Sequence, residues 1–246
     1  MKQPALIRGF LAIGFITMIV CSIISSQTGQ IDSEPKQAEP LFTPHPFAFS
    51  IWFLIYLGLF LLIIRSFSKQ KKNDKDATDG IGGWLALAMI FSGVSIVIPE
   101  QASIFFIAGA LLMLMGAYTR MKNEHEPSLY VTWPVSMFIA WISVATIVDA
   151  FVVMRSIGAE SLLGLNEGGW TFIMLAVSIL LATLFMHKQN DLIFGGVFVW
   201  AYIMLIFEHP SVWIVTVPSA VGVVAVLITA AAVIRRRRAN SVYSPA

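Results

Sequence analysis

Apolar residues run through this chain in blocks of about 20, separated by short polar stretches. Inside the blocks neither a helical nor a strand alternation of polar and apolar positions is kept, so the blocks are apolar all round. Roughly 20 such residues cover, as a helix, a hydrocarbon layer about 30 Å thick. The pattern predicts eight spans, at 7–26, 46–67, 83–99, 101–119, 129–154, 170–187, 191–208 and 212–234. The third and fourth are short and are joined by Pro99-Glu100-Gln101, which predicts a tight hairpin or a partly re-entrant pair. The stretch 68–80 is polar throughout and reads as a mobile cytoplasmic linker. The expected fold class is all-α, a polytopic transmembrane helix bundle.

Composition supports the same class. Of 246 residues 57% are hydrophobic and only 12% are charged, and the mean hydropathy is +0.80; soluble domains carry about 25% charged residues. A net charge of +2 gives no reason to expect nucleic acid. The single cysteine, Cys21, lies inside the first span, so no intramolecular disulfide forms. Met18-Ile19-Val20 lacks the small residue of a lipidation site, and a buried apolar thiol is the expected state. Lys2 and Arg8 before an apolar run resemble a signal peptide. The exit, Ser25 to Gly29, has no small-x-small cleavage site, so an uncleaved first helix is expected.

The cations change the picture by giving it an orientation. Lys2 and Arg8 place the N-terminus inside, and Asp32, Glu34 and Glu39 against Lys36 place the next loop outside. Arg65, Lys69, Lys71, Lys72 and Lys75 read as inside, as do Arg120 and Lys122. Glu160 and Glu167 read as outside, Lys188 as inside, Glu208-His209-Pro210 as outside and Arg235 to Arg238 as inside. Eight spans with N-in and C-in satisfy every loop, with Arg155 the one misfit, snorkelling at the outer end of span five. The four C-terminal arginines read as a stop-transfer signal in contact with anionic head groups.

Two segments carry candidate chemistry. Leu41 to Pro46 holds two prolines that stiffen the approach to span two. Phe49, Trp52 and Tyr56 then fall on one helical face, suited to an amphipathic ligand, to a neighbouring helix or to interfacial anchoring. In span five, Trp141, Ala145 and Asp149 step by four along one face, with Ala145 leaving a hollow between the larger two. An acid inside an apolar run is expensive and suggests function. Asp149 has four readings: a hydrogen-bond donor, a partner for Arg155, a proton carrier, or a plain helix-to-helix hydrogen bond.

The run Pro44-x-x-Phe47-x-Phe49-x-x-Trp52-x-x-x-Tyr56 resembles the start of the second helix in the TspO/MBR family, the translocator and tryptophan-rich sensory proteins. Trp141-x-x-x-Ala145-x-x-x-Asp149 is similar to that family's fifth helix, where an asparagine stands at the position of Asp149. The family's third helix usually has an Asn-x-x-Trp element, whereas this chain has Phe91-Ser92-Gly93-Val94-Ser95-Ile96. Asp191-x-x-Phe194-Gly195-x-Val197-x-x-Trp200-Ala201 is similar to the longer bacterial members. The resemblance implies a five-helix TspO-like bundle over 1–155 and three additional helices over 156–246. It implies a ligand that is hydrophobic and planar or amphipathic, a tetrapyrrole (haem or a porphyrin) or a lipid, bound for sensing or carriage. Pro44 and the loop 41–46 would form a lid, Trp52 and Trp141 would stack, Ala145 would leave room and Asp149 would supply the polar contact, with Phe49 and Tyr56 beside them.

The remaining candidates are bland. Glu100 reads as a hairpin tip, Glu124-His125-Glu126 as a solvated loop without zinc-site spacing, Gly195-Gly196 with Trp200 as helix packing, and Glu208-His209-Pro210 as a loop cap. No phosphate loop, His-x-x-x-His pair or Gly-x-Ser-x-Gly elbow occurs, and no enzyme is expected. A proton-coupled secondary transporter using Asp149 and a non-catalytic scaffold are the alternatives. The implied partners are the lipid bilayer and a hydrophobic small molecule, with a homo-oligomer left open. The implied location is a bacterial plasma membrane, crossed several times.

Overall fold

The computed structural model describes residues 3–27, 40–68, 72–124, 127–159 and 161–242. The loop acids Asp32, Glu34 and Glu39, with Lys2, Lys36, Lys69, Lys71, His125, Glu126 and Glu160, lie outside these. Eight α-helices follow one another: α1 (Gln3–Gln27), α2 (Ile51–Phe67), α3 (Lys72–Ser95), α4 (Glu100–Glu124), α5 (Leu129–Ser156), α6 (Glu167–Gln189), α7 (Leu192–Glu208) and α8 (Trp213–Val242). A 3-10 turn, Pro46–Ser50, leads into α2. Seven of the helices are long and apolar enough to cross a membrane, counting α2 together with that turn. α7 is apolar but only 17 residues long, about 26 Å, at the lower limit for a span.

The helices form two compact units. The first holds α1 to α5, without the segment Pro40–Phe49. α1 packs along α3, α3 along α4, α4 along α5 and α5 against α2, which returns to α1 and closes the ring. Leu11, Met18, Ile55, Leu85, Met89 and Phe138 are buried inside it, while Leu6, Ile13, Phe53, Phe60 and Phe105 point outward. An outer surface this apolar suits lipid, where each helix satisfies its own backbone polar groups.

α3 and α4 differ from the short pair expected. At 24 and 25 residues they are as long as their neighbours. The difference arises at one end. Lys72 to Gly80 belongs to α3, where the polar linker was expected, and Asp74, Ala77, Thr78 and Ile81 form its buried stripe. Polar side chains at helical spacing make this a helix start rather than a linker. Arg8 on α1 meets Asp79 on α3 at 3.7 Å, so a cation read as an orientation signal also holds two helices together.

The tightest crossing is between α1 and α3. A Cβ on Gly14 would lie 2.7 Å from the carbonyl oxygen of Ala86, and one on Gly93 would lie 2.8 Å from Cα of Met18. These neighbours are backbone atoms and cannot rotate away. Small residues at such crossings let helices approach closely in a bilayer. Gly93→Val is therefore expected to destabilise the bundle by about 1–3 kcal/mol. The check is the thermal midpoint of purified protein in detergent, and an unchanged midpoint would refute the close crossing.

The second unit holds α6, α7 and α8, each packed on the other two, together with Pro40–Phe49. A two-stranded hairpin, β1 (Ser161–Leu162) and β2 (Leu165–Asn166), precedes α6. Its turn, Leu163-Gly164, has φ of 52° and 80°, the left-handed pair that a two-residue hairpin requires. Asn166 then caps α6, its side chain accepting the Gly169 N–H at 3.0 Å.

Candidate functional site

Trp52 and Tyr56 lie one turn apart on α2, both half-buried, and their rings stack with centroids 5.4 Å apart. Phe138 of α5 meets Trp52 edge-on at 6.1 Å. The Tyr56 hydroxyl is 2.6 Å from Oγ of Ser22 on α1. Ser22 donates its one proton to the Met18 carbonyl at 2.9 Å, which makes Tyr56 the donor to Ser22. Three helices thus meet at one aromatic cluster with a single polar tie. Ser22 and Phe138 were not legible as site residues, because their part depends on which helices become neighbours.

Phe49 does not continue the stripe. It lies in the 3-10 turn, which advances three residues per turn rather than 3.6 and so breaks the register with Trp52. Phe49 is largely exposed and groups with the second unit.

Along α5 the expected face is present. Trp141 is almost fully buried, while Ala145 and Asp149 are half-buried. Both carboxylate oxygens of Asp149 lie 2.8 Å from Oγ of Ser103 on α4. The same Ser103 hydroxyl is 2.7 Å from the carbonyl oxygen of Glu100. One hydroxyl proton faces three acceptors, so Asp149 keeps hydrogen-bonding capacity beyond this contact. Asp149 stands eleven residues beyond Phe138 on α5, about 16 Å along the axis. The aromatic cluster and the acid are therefore two separate places in one bundle, linked by the α5 face that carries Trp141 and Ala145.

Pro44 belongs to a strap laid on α7. The His45 N–H donates to the Met204 carbonyl at 3.1 Å, and Nε1–H of Trp200 donates to the Ala48 carbonyl at 3.0 Å. Phe47 packs edge-on against Trp200 at 5.6 Å. The Leu41 N–H donates to Oε1 of Glu167 at 2.6 Å, and Nε2 of His209 lies 3.2 Å from the Thr43 carbonyl oxygen. Phe42, Thr43 and Pro44 are buried. The structure thus brings Trp52 and Tyr56 together, and Trp141, Ala145 and Asp149 together, in the first unit. It places Pro44 and Phe49 with the second.

The run 191–201 gains a physical account. Asp191 caps α7, accepting the N–H groups of Ile193 and Phe194 at 3.1 Å. Phe194 stacks on Phe185 of α6 at 3.9 Å. Gly195 leaves room for Met186 and Val226, where a Cβ would come within 2.5 Å of the Met186 sulfur. Trp200 holds the strap. Among the described residues no group of three or more His, Cys, Asp or Glu is placed to hold a metal ion.

No curated protein and no solved structure matches the chain. A family match runs over residues 6–234, from α1 into α8, and so includes the last three helices as well as the first five. The family is described as TSPO-like protein. On this match, and with the all-helical membrane bundle in agreement, the chain belongs to the TSPO-like protein family.

Proposed function

We propose that this membrane protein binds a hydrophobic planar or amphipathic molecule, a tetrapyrrole or a lipid, among α1, α2 and α5, as a sensor or carrier. The observation that carries the reading is the half-buried Trp52–Tyr56 stack against Phe138, with the Tyr56 hydroxyl tied to Ser22. An apolar wall with a few placed polar groups is what such ligands need. Trp52 offers the stacking face. Asp149, held by Ser103 farther along α5, offers the polar contact, and Ala145 leaves room between it and Trp141. The described residues of this unit contain no histidine, so a porphyrin would be gripped through its ring faces and carboxylates rather than through a metal. The proposed orientation is N-in and C-in, in a bacterial plasma membrane. Titration of purified protein with protoporphyrin IX, followed by tryptophan quenching, tests the reading. Saturable micromolar binding supports it, and its absence would leave only the shared fold.

A second reading, proton-coupled transport, rests on Asp149 and its hydroxyl partner inside a span. Asp149→Asn separates the two. A binder keeps protoporphyrin affinity within about threefold, because asparagine still accepts from Ser103 and can donate to a ligand. A proton carrier loses pH-driven flux in proteoliposomes. A non-catalytic scaffold predicts neither saturable binding nor flux.

A further inference from the structure

Charge in the second unit is sorted by end. α6 finishes with His187 and Lys188, and α8 passes from apolar sequence into Arg235, Arg236, Arg237 and Arg238; all six side chains are exposed. Glu167 opens α6 and Glu208 closes α7, both at the opposite end. The one acid near the basic end, Asp191, is buried and capping α7.

The two basic elements are joined. The Arg237 guanidinium donates to the carbonyl of Asn190, the left-handed residue that ends α6 two positions after Lys188. At about 100° per residue, Arg236 and Arg238 flank Arg237 while Arg235 lies on the far side of α8. Trp213 to Ile234 is apolar in character and about 33 Å long, matching a hydrocarbon core of about 30 Å. The arginines therefore begin at head-group depth.

We propose that this end of α6 and α8 is a binding surface for anionic phospholipid head groups, centred on Lys188 and Arg237. Its chemistry is that of a phosphodiester: a planar guanidinium held by Asn190, an ammonium beside it, and no unengaged carboxylate nearby among the described residues. The sequence presented the four arginines as a tail. The structure adds a fixed partner, the α6–α7 turn, and a cation from a different helix.

The test uses full-length protein in phosphatidylcholine vesicles with trace spin-labelled phosphatidylglycerol or spin-labelled phosphatidylcholine. The motionally restricted fraction reports which lipid the protein holds. The expected preference for phosphatidylglycerol is about fivefold or more, since each cation near the surface contributes roughly that factor. Lys188→Gln with Arg237→Gln should bring it to within about twofold of none. Arg235→Gln and the charge-conserving pair Lys188→Arg with Arg237→Lys should keep most of it. Equal loss in Arg235→Gln and in the double Gln variant would show diffuse charge and overturn the site, as would full preference in the double variant. Displacement of the labelled lipid by inorganic phosphate, but not by chloride at equal ionic strength, would make this a free-phosphate site and overturn the lipid assignment.

Discussion

Trp52→Ala is expected to weaken saturable protoporphyrin IX binding by roughly 10- to 100-fold, an effect of about 1.5–3 kcal/mol. The magnitude follows from two terms. A large ring covered by a ligand contributes about 1.5–3 kcal/mol of burial, and an aromatic contact adds about 0.5–1.5 kcal/mol. Because Trp52 is already half-buried, only part of the first term is gained on binding. Trp52 is a better probe than Trp141. The Trp141 side chain is almost fully buried, so truncating it opens a cavity costing about 3–5 kcal/mol whether or not a ligand binds. A weaker titration in Trp141→Ala would confound folding with affinity, whereas Trp52→Ala leaves the core intact. The titration should follow porphyrin absorbance as well as quenching, since the variant lacks one of seven tryptophans. Equal affinity in wild type and Trp52→Ala would remove the stack from the binding site.

The helices were legible because apolar length is a one-dimensional property. All eight expected spans have a helix, with most boundaries displaced by a few residues. The largest miss, at Lys72 to Gly80, has a clear cause. A span search scores apolar residues, and this part of α3 buries Asp74 and Thr78 in its stripe instead. The positions 74, 77, 78 and 81 keep helical spacing, so the period was present while the hydrophobicity was not.

The candidate site was legible in its residues and less so in their grouping. Trp52 with Tyr56, and Trp141 with Ala145 and Asp149, share faces because each set lies within one regular helix. Ser22, Ser103 and Phe138 come from other helices or another face, and no spacing rule predicts a partner across a bundle. Phe49 departed because a 3-10 turn changes the phase, and no apolar pattern marks that change. Pro44 was expected as part of a lid. Its segment instead carries hydrogen bonds to α6 and α7, through contacts more than 120 residues apart in the chain. Where the TspO/MBR family usually places Asn-x-x-Trp, this chain presents Gly93 to the α1 backbone, so the segment serves helix approach.

Asp74→Ala is expected to destabilise the first unit by about 2–4 kcal/mol, more than any other exchange of a polar side chain there, because one carboxylate caps a distant helix. Oδ1 accepts the Ser128 N–H at 2.7 Å and Oδ2 accepts the Ser128 hydroxyl at 2.8 Å. Ser128 is the N-cap of α5, yet its side chain makes no bond within that helix. The cap is supplied from α3, 54 residues away in sequence. A carboxylate at a helix N-terminus also meets the positive end of the helix dipole. Removing it strands a backbone donor and a hydroxyl at the start of the helix that carries Trp141 and Asp149. Asp74→Asn keeps the shape and one acceptor, so its loss should be about half as large. Two measurements check this: the thermal midpoint in detergent, and amide exchange at Tyr130 to Thr132. Faster exchange confined to that turn, with a lowered midpoint graded Ala below Asn below wild type, is the expected result. If the three proteins melt together and exchange alike, α5 is held by packing alone and Asp74 is an incidental neighbour of Ser128.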